Sequence, residues 1–114
     1  MKITIGKKTT VECMTGVLVQ VIEDDLAQGL CCNIDFTYRG KKHQIGVYGD
    51  NGNTYSNVKY YFDKSEYDTK DEMLQNAWID GINILAIQDK VLVTECDGCY
   101  PDSTPIFKEL MNQQ

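Results

Sequence analysis

The chain has 114 residues, which suits one folded domain and leaves no room for a second core of ordinary size. Hydrophobic residues make up 42% of the sequence and charged residues 25%, the usual composition of a globular domain. The net charge of −6 disfavours direct nucleic-acid binding, and no apolar run approaches the roughly 18 residues of a membrane span, so we expect neither nucleic acid nor membrane as a partner.

The negative charge is concentrated in the second half of the chain. Residues 1–59 hold six acids against seven bases, whereas residues 60–114 hold eleven acids against four lysines. The strongest basic cluster is Arg39, Lys41 and Lys42. We interpret this cluster as a solvated turn, with a phosphate-binding patch as the alternative.

The cysteine pattern predicts free thiols. Five cysteines is an odd number, and Cys31 and Cys32 are adjacent, which is poor material for a disulfide framework. The first residues also lack the long apolar core of a secretion signal, so we expect a cytoplasmic, reduced protein. Cys13 and one of the Cys31/Cys32 pair are predicted to be small core residues.

The first elements are a short strand and an ambiguous segment. Residues 2–7 alternate apolar and polar side chains, which predicts a strand. In residues 10–28, a capping box of Thr9 and Glu12 and apolar residues at helical spacing predict a helix that ends at Gly29. Gly16 and the β-branched residues near it keep a strand as the alternative.

The middle of the chain predicts an antiparallel sheet. Residues 30–38 and 43–48 alternate around a turn at Arg39–Lys42, which is the pattern of a β-hairpin. Residues 49–53 are rich in Gly, Asn and Asp and predict a loop. Residues 58–62 are predicted to form a further strand, with aromatic side chains on both faces.

The last third predicts two helices and a strand. Thr69 and Glu72 form a second capping box, and Met73, Ala77 and Trp78 are the expected apolar side of a helix that ends at Gly81. A strand is predicted at 91–93 and a short helix at 105–111. The sequence therefore predicts a single α+β domain over residues 1–114, with a four- or five-stranded, mainly antiparallel sheet and two or three helices packed on one face.

Among the short motifs of the chain, Cys96-Asp97-Gly98-Cys99 is the one best suited to a reaction or to metal binding. Two thiols three positions apart can exchange disulfides or hold a metal, so Cys96 and Cys99 are a candidate redox or zinc pair. With the helix that follows, this segment resembles the active-site region of thioredoxin-like oxidoreductases over about fifteen residues. The resemblance implies a dithiol redox site, but that family places its dithiol early in a βαβ unit.

Zinc binding would need further ligands. The residues able to supply them are Cys31, Cys32 and His43. Such a set lacks the second tight ligand pair that structural zinc sites usually have. A turn bent at Gly98, with both thiols unmodified, is therefore the preferred interpretation, and no metal or other cofactor is expected.

Catalytic patterns are weak elsewhere in the chain. There is one histidine, no serine in a nucleophile elbow and no glycine-rich phosphate loop. The sequence therefore predicts a non-catalytic protein.

Acidic and tyrosine residues after position 59 form the candidate interaction surface, which we call the acidic face: Tyr60, Asp63, Glu66, Tyr67, Asp68, Asp71 and Glu72. Tyrosine is favoured at interfaces, and a negative patch suits a basic partner. The alternative is a solvated charged surface without a partner.

We therefore expect a small acidic protein-interaction module that docks on a basic, nucleic-acid-binding protein surface. In size and charge the chain resembles small inhibitors and accessory proteins of phages and mobile elements, including anti-CRISPR proteins, although no motif is shared. The alternative function is a redox or zinc site at Cys96 and Cys99.

Overall fold

The computed structural model describes residues 10–49 and 57–113. The predicted strand at 2–7, the predicted N-cap Thr9 and most of the predicted loop at 49–53 lie outside the described residues. Three α-helices are present in the described part: α1 (Thr15–Ala27), α2 (Lys70–Asn76) and α3 (Pro105–Asn112). The strands are β1 (Val11–Cys13), β2 (Cys32–Tyr38), β3 (Lys41–Tyr48), β4 (Lys59–Phe62), β5 (Ser65–Tyr67), β6 (Trp78–Ile79), β7 (Ile82–Asn83) and β8 (Val91–Cys96).

The strands form an α+β fold with an antiparallel main sheet, as predicted. Six strands lie in the order β1-β8-β2-β3-β4-β5, and β6 pairs with β7 in a separate two-stranded ribbon. The predicted number of four or five strands is therefore wrong. The strands β5, β6 and β7 are not among those that the sequence predicts. For example, β5, with the sequence Ser65-Glu66-Tyr67, has no apolar alternation and is held by backbone pairing to β4.

One hydrophobic core joins the sheet to all three helices. The residues of β2 alternate between fully buried and partly exposed positions, which shows that one face of the sheet packs inward. Leu18 of α1, Met73 of α2 and Phe107 of α3 are each 0% exposed in this core. The predicted core cysteines are confirmed, because Cys13 and Cys32 are buried whereas Cys31 is only partly buried.

The ambiguous segment at 10–28 contains both predicted alternatives. Its first residues form β1, which pairs with β8, and the helix starts only at Thr15. Glu12 therefore lies in a strand and does not cap a helix. The end at Gly29 is confirmed: Gly29 has φ 74°, and the Leu30 amide donates to the Asp25 carbonyl in a Schellman motif.

The helix predicted from Thr69 is shorter than expected. Its N-cap is confirmed, since Thr69 Oγ1 accepts a hydrogen bond of 3.1 Å from the Glu72 amide. The helix ends at Asn76, and Gly81 lies instead in the turn between β6 and β7. Trp78, expected in the core, is 55% exposed. The prediction failed because Gly81 does not cap a helix. Asp80 and Gly81, both with positive φ, form the hairpin turn that connects β6 and β7.

On the outer face of the sheet, a tyrosine side chain lies unusually close to the backbone of the neighbouring strand. Asn33, Gly46 and Tyr61 are register neighbours on β2, β3 and β4. The Tyr61 side chain lies over Gly46, and its hydroxyl donates a hydrogen bond to the Asn33 side-chain oxygen. Because glycine has no Cβ, Tyr61 can cross the central strand and link two strands that are not paired with each other.

None of the helices described within 10–49 and 57–113 is long and apolar enough to cross a membrane.

Candidate functional site

The acidic face lies at one edge of the main sheet and on the helix that follows it. Tyr60 and Tyr67 are directly opposite each other on β4 and β5, and both are partly buried against the core. Asp71 and Glu72 occupy the first turn of α2, where the helix dipole favours acids. All five carboxylates of the acidic face are exposed.

Three of these acids have partners within the chain. Asp63 Oδ2 lies 2.9 Å from His43 Nδ1. Glu66 accepts a hydrogen bond from the Tyr48 hydroxyl, and Asp68 pairs with Lys59. These contacts hold the β4–β5 hairpin, and Lys59 offsets the charge of Asp68.

The helix end of the acidic face keeps more of its charge. Lys70, the basic residue next to Asp71 and Glu72, forms its ion pair with Glu23 of α1. That lysine therefore compensates an acid of a different helix. The hydrogen bond to Glu23, followed by nearby acids, raises the pKa of Lys70, so its charge remains in place at neutral pH.

Apolar side chains are exposed beside these acids. Trp78 and Leu85 are 55% and 53% exposed, and the Trp78 indole N–H donates a hydrogen bond to the Gln75 carbonyl at the end of α2. A groove of about 250 Å³, which we call the α2 groove, is lined by Asp71, Leu74, Gln75, Asn83 and Leu85. The surface thus combines carboxylates with an apolar floor, a feature that the sequence did not predict because Trp78 was assigned to the core.

The predicted basic turn is largely paired with acids. Arg39 lies 3.8 Å from the Asp89 carboxylate and 5.1 Å from the centre of the Tyr38 ring. Lys41 lies 3.4 Å from the Asp80 carboxylate. These exposed ion pairs favour the interpretation of the cluster as a solvated turn over that of a phosphate-binding patch.

A second candidate site is formed by thiols on two paired strands. Ile34 of β2 is opposite Cys96 of β8, so Cys32, two residues away on the same face, lies diagonally across from Cys96. The ligand atoms of Cys32, Cys96 and Asp97 all lie within 4.8 Å of one another, and we call these three residues the thiol cluster. The sequence could not reveal this pairing because it depends on strand order and register.

The turn after β8 orients the Asp97 carboxylate. Asp97 and Gly98 have φ angles of 55° and 76°, and the backbones of Cys96 and Cys99 are bridged on either side of them. Asp97 Oδ1 accepts a hydrogen bond of 2.8 Å from the Asn33 amide. Its other oxygen, Oδ2, lies 3.9 Å from Cys96 Sγ.

The pKa values of the two buried thiols are shifted in opposite directions. The hydrogen bond between their sulfurs, made with Cys32 as donor, raises the pKa of Cys32 and lowers the pKa of Cys96. The Thr104 side chain also hydrogen-bonds Cys96, and it does not cap α3 although Thr104 is the N-cap residue of that helix. Burial raises the pKa of Asp25, whose carboxylate contacts Cys32.

The predicted pair of Cys96 and Cys99 is brought together through its backbone. The Cys96 amide donates to the Cys99 carbonyl at 2.8 Å. The side chains differ, because Cys96 is buried beside Cys32 whereas Cys99 is exposed on the turn. His43 is opposite Phe36, four residues along β2 from Cys32, or about 13 Å away, so it is not part of the thiol cluster.

His43 instead lines a cleft with a volume of about 680 Å³. Its ring stacks between Phe36 and Phe62, with centroid separations of 5.5 and 5.8 Å. The other ring nitrogen, Nε2, is buried without a hydrogen-bond partner in the described structure. The hydrophobic contacts and the Asp63 pair account for the position of this histidine in the fold.

Comparison of the chain with protein-family models, with curated proteins and with solved structures found no match.

Proposed function

We propose that this protein is a non-catalytic interaction module that binds a basic protein partner through the acidic face and the adjoining α2 groove. The proposal depends on one observation: exposed carboxylates and exposed apolar side chains lie side by side on α2, the β6–β7 ribbon and the helical turn that follows it, Ile84–Ala86. A surface that served only solubility would be expected to carry the acids without Trp78 and Leu85.

The chemistry of the surface specifies the kind of partner. The carboxylates of Asp71 and Glu72 attract lysine and arginine, and the groove beside them suits an apolar side chain. Trp78 is a residue type that often dominates binding energy at interfaces. We therefore infer that the partner presents a basic segment with at least one apolar anchor, as on the surface of a nucleic-acid-binding protein.

The β4–β5 end of the acidic face has a different role in this proposal. Its carboxylates are already engaged by His43, Tyr48 and Lys59, so they contribute long-range attraction and little new contact energy. Contacts with the partner are assigned to the α2 end. An inhibitor of phage or mobile-element type, acting by covering a basic binding surface, is one protein that would use such a module.

The test is affinity capture with charge-reversed variants. Asp71→Lys combined with Glu72→Lys should abolish capture of the partner, because the contact carboxylates become repulsive. The matched control combines Glu95→Lys with Glu109→Lys, which changes the net charge equally on β8 and α3.

The control should retain the partner. Loss of the same protein in both double variants would show that capture depends on overall charge, and this would contradict the assigned surface. Circular dichroism checks that both variants remain folded, since the reversed charges at the start of α2 should cost only about 0.3 to 1 kcal/mol each.

A further inference from the structure

The geometry points to a zinc site formed by Cys32, Cys96 and Asp97. This site is separate from the proposed interaction surface and differs from the pair of Cys96 and Cys99 that the sequence suggests. Its ligands come from β2, from the last residue of β8 and from the turn that follows β8.

The spacing of the ligand atoms matches tetrahedral zinc. Zn–S and Zn–O bonds of about 2.3 and 2.1 Å place neighbouring ligand atoms roughly 3.5 to 3.8 Å apart. Cys96 Sγ and Asp97 Oδ2 are 3.9 Å apart, and all three ligand atoms lie within 4.8 Å of one another. Only small side-chain movements are therefore needed to close the three ligands around one ion.

The ligands are also held in position by the fold. Cys32 and Cys96 are each 1% exposed on paired strands, so their side chains have little freedom. The Asn33 amide binds Asp97 Oδ1 and leaves Oδ2 directed at the sulfur. Partners of this kind, which orient a metal ligand, are a usual part of metal sites.

The composition of the cluster specifies a cation of the zinc type. Two thiolates favour zinc over magnesium or calcium, which prefer oxygen ligands. The Asp25 carboxylate hydrogen-bonds Cys32 beside the cluster. Asp97 is exposed on the turn, which provides a path for the ion to reach two buried sulfurs.

Cobalt is the probe for the test, because tetrahedral Co²⁺ with thiolate ligands gives strong near-ultraviolet charge-transfer absorption. The reduced, metal-free protein should bind one Co²⁺, and Zn²⁺ should displace it. Asp97→Asn should weaken binding by at least about 10-fold, the smallest loss usual even for removal of an outer partner of a metal ligand. Asparagine tolerates the positive φ of this position and keeps the oxygen that accepts from Asn33, so this variant should fold.

Three cysteine variants test this site against its alternatives. Cys96→Ser should abolish the thiolate absorption, whereas Cys99→Ser and Cys31→Ser should keep it. Loss of the signal in Cys99→Ser together with an unchanged Asp97→Asn would overturn the proposal in favour of the Cys96/Cys99 pair. A protein that binds no Co²⁺, or that forms a Cys32–Cys96 disulfide when purified with zinc and reductant, would overturn it as well.

Discussion

Replacing Gly46 with alanine should destabilise the protein far more than a usual surface substitution. A Cβ at this position would lie 2.8 Å from the Tyr61 ring carbon Cζ and closer still to the Cys32 carbonyl oxygen. The carbonyl belongs to the paired strand β2 and cannot rotate away. The backbone of Gly46 does not have a positive φ, so the expected cost is steric and not conformational.

The size of the effect follows from two contributions. Overpacking of a tight site costs about 1 to 3 kcal/mol. Displacing Tyr61 also breaks its hydrogen bond to Asn33, which adds about 1 kcal/mol. The free energy of unfolding should therefore fall by about 2 to 4 kcal/mol, and the melting temperature by roughly 10 °C or more.

Urea denaturation followed by tryptophan fluorescence and circular dichroism measures this change. Tyr61→Phe, which removes only the hydroxyl, should cost about 1 kcal/mol. Gly16→Ala is the matched control, because Gly16 lies in the first turn of α1 and an added Cβ would meet nothing within 4 Å. It should stabilise the protein by up to about 1 kcal/mol. A Gly46→Ala variant within about 0.5 kcal/mol of the parent, a margin usual for surface changes, would refute the proposed close approach.

Three further outcomes are expected. Trp78→Ala should lower the free energy of unfolding by about 1 kcal/mol or less, because the side chain is 55% exposed. Met73→Ala, at a residue that is 0% exposed, should lower it by about 2 to 5 kcal/mol. Equal losses in urea denaturation would place Trp78 in the core. Stability should fall as the pH rises from 9.0 towards 11, because burial raises the pKa of Cys13 to about 11 and only the unfolded thiol ionises in that interval. In Cys13→Ala, melting curves should show a smaller decline of stability with pH. An unchanged dependence of stability on pH in this variant would argue against the buried thiol as its cause. Maleimide should label the exposed Cys99 before the buried Cys13, Cys32 and Cys96, as read by mass spectrometry, and prior labelling of any buried thiol would conflict with the packing described.

Local sequence signals predicted the elements that have a strong period or a clear cap. The hairpin of β2 and β3 follows from alternation around Arg39-Gly40, and α2 begins where Thr69 and Glu72 form a capping box. The strands β5, β6 and β7 were missed because each has two or three residues, too few to show a period.

The candidate sites depended on information that a sequence pattern does not contain. The acids of the acidic face could be identified by composition, but the partner with which each of them pairs could not. Cys32 and Cys96 are 64 positions apart, and only the antiparallel register of β2 with β8 brings them together. Helical spacing from Met73 predicts that Trp78 is buried, but the helix ends at Asn76, before it reaches Trp78.

The proposed function requires that the α2 groove contacts a basic protein partner. A photoreactive amino acid placed at Leu85, which lines the groove and is 53% exposed, tests this directly when compared with the same amino acid at the exposed Lys108 on α3. One basic protein should be cross-linked from position 85 and not from position 108, and Asp71→Lys with Glu72→Lys should abolish the cross-link. Identical products from the two positions, or a cross-link at 85 that survives the charge reversal, would contradict it.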